Sequence, residues 1–221
     1  MFSALISKWK HFSYRFKSNK TKFTEIYASE GFTGRQYPSS GIGSSLEQTA
    51  VIRQELPKLL VDYKIRSLVD VPCGDFTWMR KVNLDGVDYQ GFDIVEQIIV
   101  SNKKKYTARN LKFGALDIVK DIPPKADLIF CRDCLVHLSN IDVLKALSNL
   151  KKSGSTYLLT TTFPNADVNA DMVSARGWRP LNLQKRPFNL PETLLLINEN
   201  CTESGGIYSD KSLGLWLIKN P

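Results

Sequence analysis

The sequence predicts an α/β fold built on one mostly parallel, seven-stranded sheet with helices on both faces. Three observations lead to this prediction. From Ser67 onward, short apolar and β-branched runs alternate with helical stretches, the pattern of a parallel sheet covered on both sides. The first run turns sharply at Gly74 into a segment predicted to be a helix. The last two runs have no long helical pattern between them, which predicts an antiparallel pair that completes the sheet.

The elements follow one another in a simple order. A turn-rich segment, residues 37–45, leads into a helix predicted over about 46–63, in which Pro57 predicts a kink or a break. The glycines of this segment allow close approach to an anionic ligand, although an ordinary loop in front of a domain has the same composition. The predicted strands are 67–71, 88–92, 112–113 with its flanks, 127–131, 156–161, 194–198 and 214–218.

Residues 1–38 are predicted to form an extension in front of a domain that spans 39–221. Six basic residues precede the first acid, Glu25, so the extension carries most of the net charge of +8 and the remainder is nearly neutral. Residues 1–22 predict a basic amphipathic helix that binds either an anionic membrane surface or a protein surface. Nucleic acid is not an expected partner, because no aromatic-basic pattern continues into the domain. The apolar stripe of this helix consists of Phe2, Leu5, Ile6, Trp9, Phe12 and Phe16.

Several protein classes do not fit the composition. No apolar run reaches the roughly 18 residues that cross a bilayer, and the N-terminus lacks the features of a signal peptide. We therefore expect a cytoplasmic protein, peripheral at a membrane if the extension binds lipid. The four scattered cysteines fit reduced thiols. The pair Cys131 and Cys134 lacks further zinc ligands nearby and follows a late strand, so we predict small buried side chains there.

Acidic residues stand at the ends of four successive predicted strands: Asp70, Asp93, Asp117 and Asp133. The carboxyl ends of parallel strands form the ligand-binding edge of an open α/β sheet. Each acid alone fits an ordinary helix cap, but four at one edge predict a site. Asp93 also lies about twenty residues beyond Gly74, the usual distance for an acid that hydrogen-bonds ribose hydroxyls.

The segments "DVPCGDF", "GFDIV", "ALDIV" and "DLIFCRDCLVHLS" occur in this order and together resemble class I S-adenosylmethionine-dependent methyltransferases. The resemblance covers the chain from about residue 39 to the end. It implies a Rossmann-like fold, S-adenosylmethionine as cofactor and methyl transfer as activity. A nicotinamide-dependent oxidoreductase is the alternative, disfavoured because a dinucleotide needs close backbone approach at more points than one glycine permits.

The resemblance implies how the first turn meets the methionine half of the cofactor. Gly74, preceded by Pro72 and Cys73, lets the backbone approach closely. Asp70 or Asp75 is then expected to contact the ammonium group. The pair Pro72-Cys73 is a departure, since glycine is common at this point in the family.

The adenosine half is expected at the next three strand ends. By the same resemblance, Asp93 binds the ribose diol, and Asp117 with Ile118 meets the adenine ring. Ile94 and Arg132 belong to the same segments and are expected to line the cofactor site.

A narrower resemblance comes from "CRDCLVHLS" together with "RGWRPLNLQKRPFNLP". The combination is similar to methyltransferases associated with bacterial surface polysaccharides and with glycans of large algal viruses, in which hydroxyls of sugars such as rhamnose are O-methylated. In the late loop, Trp178 offers a flat face to a sugar ring, and Arg179 and Asn182 offer hydrogen bonds to hydroxyls. The alternative is a surface loop in which Trp178 and Phe188 fill the core.

His137 is the candidate general base, because methyl transfer to a hydroxyl requires removal of a proton and a neutral imidazole suits that role near working pH. Asp133 lies four residues earlier, on the same face if a helix starts there, and is expected to fix the ring tautomer. A histidine packed under the loop or bonded only to backbone is the alternative.

Two questions stay open at this point. Asp133 and His137, with Asp167 or Asn169, have the ligand types for a hard divalent cation, but their spacing fixes no geometry. A non-catalytic partner protein with a cofactor-binding fold, held at a membrane by the basic helix, is also compatible with the sequence.

Overall fold

The computed structural model describes residues 17–29, 40–172 and 177–218. Its seven strands are β1 Ser67–Asp70, β2 Asp88–Asp93, β3 Leu111–Ala115, β4 Leu128–Cys131, β5 Tyr157–Thr162, β6 Leu195–Asn198 and β7 Ser212–Leu217. They form one sheet in the order β3-β2-β1-β4-β5-β7-β6. Strands β1 to β5 pair in parallel, whereas β7 is antiparallel to both β5 and β6. The predicted α/β fold with its antiparallel final pair is confirmed, and the predicted strands match to within two residues.

Helices cover both faces of the sheet because successive strand residues point to opposite sides. Leu68 and Leu128 belong to a core with helices α2 and α3, whereas Val69 and Ile129 belong to a second core with α4. Each core is a cluster of buried apolar side chains, which fits a parallel sheet buried on both faces. The described helices are α1 Asn19–Ala28, α2 Ala50–Asp62, α3 Glu96–Lys105 and α4 Asn140–Lys152.

Helix α2 begins later than predicted. Residues 46–49 form turns, in which Ser45 Oγ accepts a hydrogen bond from the Gln48 backbone N–H at 3.2 Å. The helix continues through Pro57 without a break. Its buried residues, among them Ile52 and Leu56, pack against the sheet, and this burial offsets the backbone hydrogen bond that proline removes.

The prediction of a helix directly after Gly74 is wrong. Residues 75–82 form turns and a short 3₁₀ helix, Met79–Lys81. Phe76 has a φ of 60°, in the left-handed region that a right-handed helix does not contain. Phe76 and Met79 are fully buried, so this segment of irregular backbone contributes side chains to the core.

The expected helix start at Asp133 is also wrong. Asp133 has a φ of 51°, and only a 3₁₀ turn, Leu135–His137, follows it. Helix α4 begins at Asn140, where Ser139 Oγ caps it by accepting a hydrogen bond from the Asp142 backbone N–H at 3.2 Å. Asp133 and His137 are therefore not one turn apart on a helix.

Of the predicted N-terminal helix, residues 1–16 with the apolar stripe lie outside the described residues. Helix α1 packs on the rest of the protein. Asn19 Nδ2 donates a hydrogen bond to Asp142 Oδ2 at 3.3 Å, and Lys20 Nζ lies 2.5 Å from Glu96 Oε1. Within the described residues, no helix has the length and apolar character that a membrane span requires.

Candidate active site

A cavity of about 420 Å³ opens at the carboxyl edge of the sheet, between the strand ends, loop 40–44, helix α1 and the connection from β6 to β7. This is the edge at which open α/β sheets bind ligands. The structure brings nearly all of the predicted site residues together here. Those that line the cavity are Asp70, Pro72, Cys73, Gly74 and Asp75 after β1, Asp93 and Ile94 after β2, Asp117 and Ile118 after β3, and Arg132, Asp133, His137 and Trp178 beyond β4.

The turn after β1 requires glycine at its centre. Gly74 has a φ of 53°, and a Cβ atom there would lie 2.3 Å from Ser40 Oγ. Ser40 Oγ also accepts a hydrogen bond from the Asp75 backbone N–H at 2.9 Å. Asn102 of α3 donates a side-chain hydrogen bond to the Gly74 carbonyl oxygen at 2.8 Å. The turn is thus fixed from both sides, by Ser40 in the turn-rich segment and by Asn102, which no sequence signal marked.

Asp93 is held rigidly at the end of β2. Its carboxylate accepts backbone N–H bonds from Val95 at 2.9 Å and from Gly74 at 3.2 Å, and the residue is only 5% exposed. Burial raises the pKa of Asp93 to about 6, although these hydrogen bonds oppose the shift. The carboxylate therefore connects the first two strand ends at the cavity wall.

Asp70 is buried even more completely, at 2% exposure. Its Oδ2 accepts a hydrogen bond from the Tyr89 hydroxyl at 2.6 Å, whereas its Oδ1 has no partner among the described residues. Burial raises the pKa of Asp70 to about 8; the Tyr89 bond opposes the shift and the nearby Asp93 adds to it. A buried acceptor without a donor is costly, so this oxygen marks a place for a ligand donor.

The end of β3 forms an apolar wall beside a short turn. Ile118 is buried, and its carbonyl oxygen accepts a hydrogen bond from Asn149 Nδ2 at 3.1 Å. Asp117 Oδ1 accepts the Val119 backbone N–H at 3.1 Å, and Asp117 Oδ2 lies 3.4 Å from Lys120 Nζ. The arrangement offers a flat apolar surface with a carboxylate at its rim.

Five charged side chains meet where β4, the β6–β7 connection and loop 40–44 converge, and we call them the charge cluster: Arg132, Asp133, Glu199, Glu203 and Lys211. Arg132 Nη2 lies 2.7 Å from Glu199 Oε2, and Lys211 Nζ lies 2.7 Å from Asp133 Oδ2. Burial alone would raise the pKa of Asp133, but Arg132 and Lys211 outweigh it and hold that pKa well below its usual range. These contacts keep Asp133 ionised at the cavity wall.

His137 Nδ1 lies 3.0 Å from the Gly177 carbonyl oxygen. A carbonyl oxygen only accepts, so Nδ1 carries the proton and Nε2 carries the lone pair of the neutral ring. Burial lowers the pKa of His137, while Gly177 and Asp133 oppose the shift. The tautomer is thus set by the backbone carbonyl of Gly177 and not by Asp133, which was expected to fix it but whose Oδ2 bonds to Lys211.

Trp178 lines the cavity as the sequence predicted. Its ring lies 4.5 Å from Tyr208 and 5.4 Å from Phe163, measured between ring centroids, in edge-to-face arrangements. Phe163 is fully buried and Tyr208 also lines the cavity. Trp178 therefore forms part of an aromatic wall and is anchored in the second core at the same time.

Arg179 and Asn182, predicted to bind substrate, do not line the cavity. Both are buried and bonded within the protein. Arg179 donates to the carbonyl oxygens of Ala170 and Val136 at 2.8 and 3.0 Å. Asn182 Nδ2 donates to the Pro164 carbonyl oxygen at 2.9 Å. The two side chains hold the loop that carries Trp178 in place.

The residues considered as ligands of a divalent cation do not form a common site. Asp167 is 91% exposed on its side chain and pairs with Lys185 at 2.9 Å, and Asn169 bonds to the backbone of the late loop. In the part of the chain that the structure describes, no three His, Cys, Asp or Glu side chains are grouped to hold a metal ion. All four cysteines are free thiols.

No protein-family model matches the sequence, and no curated protein matches it. Solved structures do resemble the chain. PigF with S-adenosylhomocysteine (SAH) matches with a TM-score of 0.56 and 14% identity, over 76% of this chain and 55% of PigF. An S-adenosylmethionine-dependent methyltransferase from Clostridium acetobutylicum ATCC 824 matches with a TM-score of 0.55 and 12% identity, over 76% of this chain and 91% of that chain.

Magnesium protoporphyrin IX methyltransferase (ChlM) from Synechocystis PCC 6803, with bound SAH, gives a TM-score of 0.51 and 17% identity, over 67% of this chain and 74% of ChlM. At these identities the likeness concerns the fold and not the substrate. The strand order and the cavity at the carboxyl edge belong to the same architecture. The chain therefore has the Rossmann-like fold of class I S-adenosylmethionine-dependent methyltransferases.

Proposed function

We propose that this protein is an S-adenosylmethionine-dependent methyltransferase. The observation that carries the proposal is the pair of buried acids, Asp70 and Asp93, which line the cavity and form no ion pair among the described residues. Burying a carboxylate without a cation is costly, and a positively charged ligand offsets that cost. S-adenosylmethionine supplies an ammonium group and a methyl group activated on a sulfonium sulfur, so its charge complements this end of the cavity.

The side chains at the cofactor end have distinct roles in this proposal. Asp70 accepts a hydrogen bond from the ammonium group through its unpartnered Oδ1. Asp93, fixed by backbone N–H bonds, accepts the ribose hydroxyls. Ile118 packs against the adenine ring, with Asp117 at its edge. The fixed turn at Gly74 allows the backbone to approach the methionine half.

We propose further that the methyl acceptor is a hydroxyl of a sugar such as rhamnose in a glycan. Support comes from the resemblance carried by "CRDCLVHLS" and the late loop, and from the aromatic wall of Trp178 and Tyr208, because apolar faces of sugar rings pack on aromatic rings. In this proposal His137 removes the hydroxyl proton through Nε2, the ring nitrogen that carries the lone pair when Nδ1–H bonds to Gly177.

The decisive experiment is a calorimetric titration of the purified protein with SAH and, separately, with NAD. We expect SAH to bind at one site per chain and NAD not to bind. Binding of NAD alone would favour an oxidoreductase and overturn the proposal. Methyl transfer to rhamnose-bearing glycans then tests the acceptor, and SAH binding without any such transfer would reject the sugar and keep the cofactor.

The composition of the basic N-terminal segment bears on where in the cell the protein acts. We propose that residues 1–16 bind the surface of an anionic membrane from the cytoplasmic side, because they combine basic and large apolar side chains. The deletion that tests this must stop at residue 16, since Asn19 and Lys20 make contacts in α1. We expect it to abolish sedimentation with phosphatidylserine vesicles and to leave SAH affinity unchanged; unchanged sedimentation would reject the membrane proposal.

A further inference from the structure

Helix α1 contributes one face to the cavity. Asn19, Phe23 and Tyr27 all line it, and their spacing of four residues places them on the same side of a helix. The sequence had indicated this part of the chain only as the end of a basic extension. The structure instead makes it part of the cavity wall.

This wall is tied to the protein on two sides. The Asn19 side chain bonds to Asp142 on α4, and Lys20 pairs with Glu96 on α3. Phe23 packs against the second core, and its ring meets the edge of the His137 ring at a centroid distance of 6.4 Å. Helix α1 is therefore fixed beside the proposed base.

The cavity wall also contains the aromatic pair Trp178 and Tyr208, supported from behind by Phe163. Hydrogen-bonding groups come from the charge cluster, since Asp133, Glu203 and Lys211 line the same cavity. The cavity thus combines Phe23, Tyr27 and this aromatic pair with charged donors and acceptors. A rigid ring that carries hydroxyl groups has both kinds of surface, apolar on its faces and polar at its rim.

We propose that α1 forms a wall of the methyl-acceptor subsite, in which Phe23 and Tyr27 contact a pyranose ring together with Trp178 and Tyr208. The inference rests on the proposed function and names the residues that select the acceptor. It predicts discrimination against a linear polyol such as L-rhamnitol, which carries the hydroxyl groups of the rhamnoside and further ones but has no rigid apolar face to pack on the aromatic rings.

The test uses the full chain saturated with SAH and two probes, methyl α-L-rhamnopyranoside and the linear L-rhamnitol, with binding followed by saturation-transfer NMR. Phe23→Leu and Tyr27→Leu keep apolar volume and remove the rings. Thr21→Ala is the control, because Thr21 is exposed on α1 and does not line the cavity. We expect wild type and Thr21→Ala to bind the rhamnoside at least fivefold more tightly than rhamnitol.

Each ring-deleted variant is expected to weaken rhamnoside binding about fivefold, within the range of a single aromatic contact, while SAH affinity stays within twofold. Equal rhamnoside affinity in wild type and both variants would overturn the inference. So would a wild-type protein that binds SAH but neither probe, and that result would leave the cofactor proposal standing. Loss of SAH binding in wild type would instead reject the proposed function itself.

Discussion

The two ends of the cavity bury acidic side chains in opposite ways. At the ends of β1 and β2, Asp70 and Asp93 have only neutral hydrogen-bond donors, and burial raises their pKa values to about 8 and about 6. At the end of β4, Asp133 lies beside Arg132 and Lys211, which hold its pKa low. The first end needs a cation from a ligand, whereas the second carries its own. This difference supports the proposal that the first end binds a cationic cofactor, whereas the charges at the second end are balanced by its own residues.

The largest expected effect concerns the second end. His137→Ala should lower the turnover number by on the order of 10²–10⁴-fold, the usual contribution of a general base, with SAH affinity nearly unchanged. Turnover is measured on a glycan acceptor at saturating S-adenosylmethionine. A variant that keeps more than about a third of wild-type turnover would contradict the assignment of the base.

Glu199→Gln tests whether the acidic and basic side chains of the charge cluster balance one another. The substitution removes the buried anion of Arg132 and leaves only the more exposed Asp133 beside it, and breaking a buried ion pair costs about 3–5 kcal/mol of the free energy of unfolding. Glu203→Gln is the matched control, because Glu203 is 30% exposed and lies 4.0 Å from Lys211, a pair expected to contribute less than about 1 kcal/mol. Urea unfolding measures the free energy of unfolding of both variants. Equal losses of stability would mean that burial does not make the ion pair of Glu199 stronger than that of Glu203.

Asp93→Ala tests the first end. Hydrogen bonds to a charged acceptor contribute about 1.5–3 kcal/mol each, so the loss of the ribose contacts should weaken S-adenosylmethionine binding at least tenfold. Calorimetry measures the affinity, and circular dichroism checks that the variant is folded, since Asp93 also accepts two backbone bonds. Unchanged affinity in a folded variant would place the cofactor elsewhere.

Asp70→Asn tests how the buried Asp70 makes stability and SAH affinity depend on pH. In the folded protein Asp70 keeps its proton up to about pH 8, whereas in the unfolded chain Asp70 loses its proton near pH 3.8. The contribution of Asp70 to stability is therefore greatest at low pH and is lost as pH rises through that window. Ionisation also creates the partner of the ammonium group, so wild-type SAH affinity should rise with pH from 6 to 8, by at most about tenfold per unit.

The neutral asparagine removes the part of both dependences that Asp70 causes, whereas Asp93, with a pKa of about 6, keeps its own part. We expect the melting temperature of the ligand-free variant to fall less than that of wild type between pH 5 and 8, and its SAH affinity to vary less than that of wild type between pH 7 and 8. Differential scanning fluorimetry and calorimetry provide the two measurements. A variant whose pH dependence matches that of wild type would show that another group is responsible.

The sequence predicted the first end of the cavity better than the second, for a physical reason. Asp70, Gly74 and Asp93 stand at or just after the ends of their own strands, so a local pattern marks each of them, and parallel pairing brings them together. Arg132 and Glu199 are separated by 67 positions, and Asp133 and Lys211 by 78. No short pattern signals a contact across such distances.

Local backbone conformation explains the remaining errors. The predicted helices after Gly74 and at Asp133 both fail at a residue with positive φ, Phe76 and Asp133, where tertiary contacts override the pattern. Arg179 and Asn182 have the side chains of a binding loop, but they donate to backbone carbonyl groups of neighbouring segments, those of Val136 and Pro164. Composition cannot distinguish donors that face a ligand from donors that hold their own loop.

The antiparallel pair β6–β7 delays the completion of the sheet during synthesis. Glu199 and Lys211 flank the connection between these strands and are joined by a backbone hydrogen bond of 2.9 Å. Arg132 leaves the ribosome 67 residues before Glu199, a delay of roughly several seconds at usual elongation rates. Until then its guanidinium lacks the buried Glu199 carboxylate and has only the adjacent Asp133 beside it. The last two strands of this sheet therefore decide when the guanidinium of Arg132 acquires its buried partner.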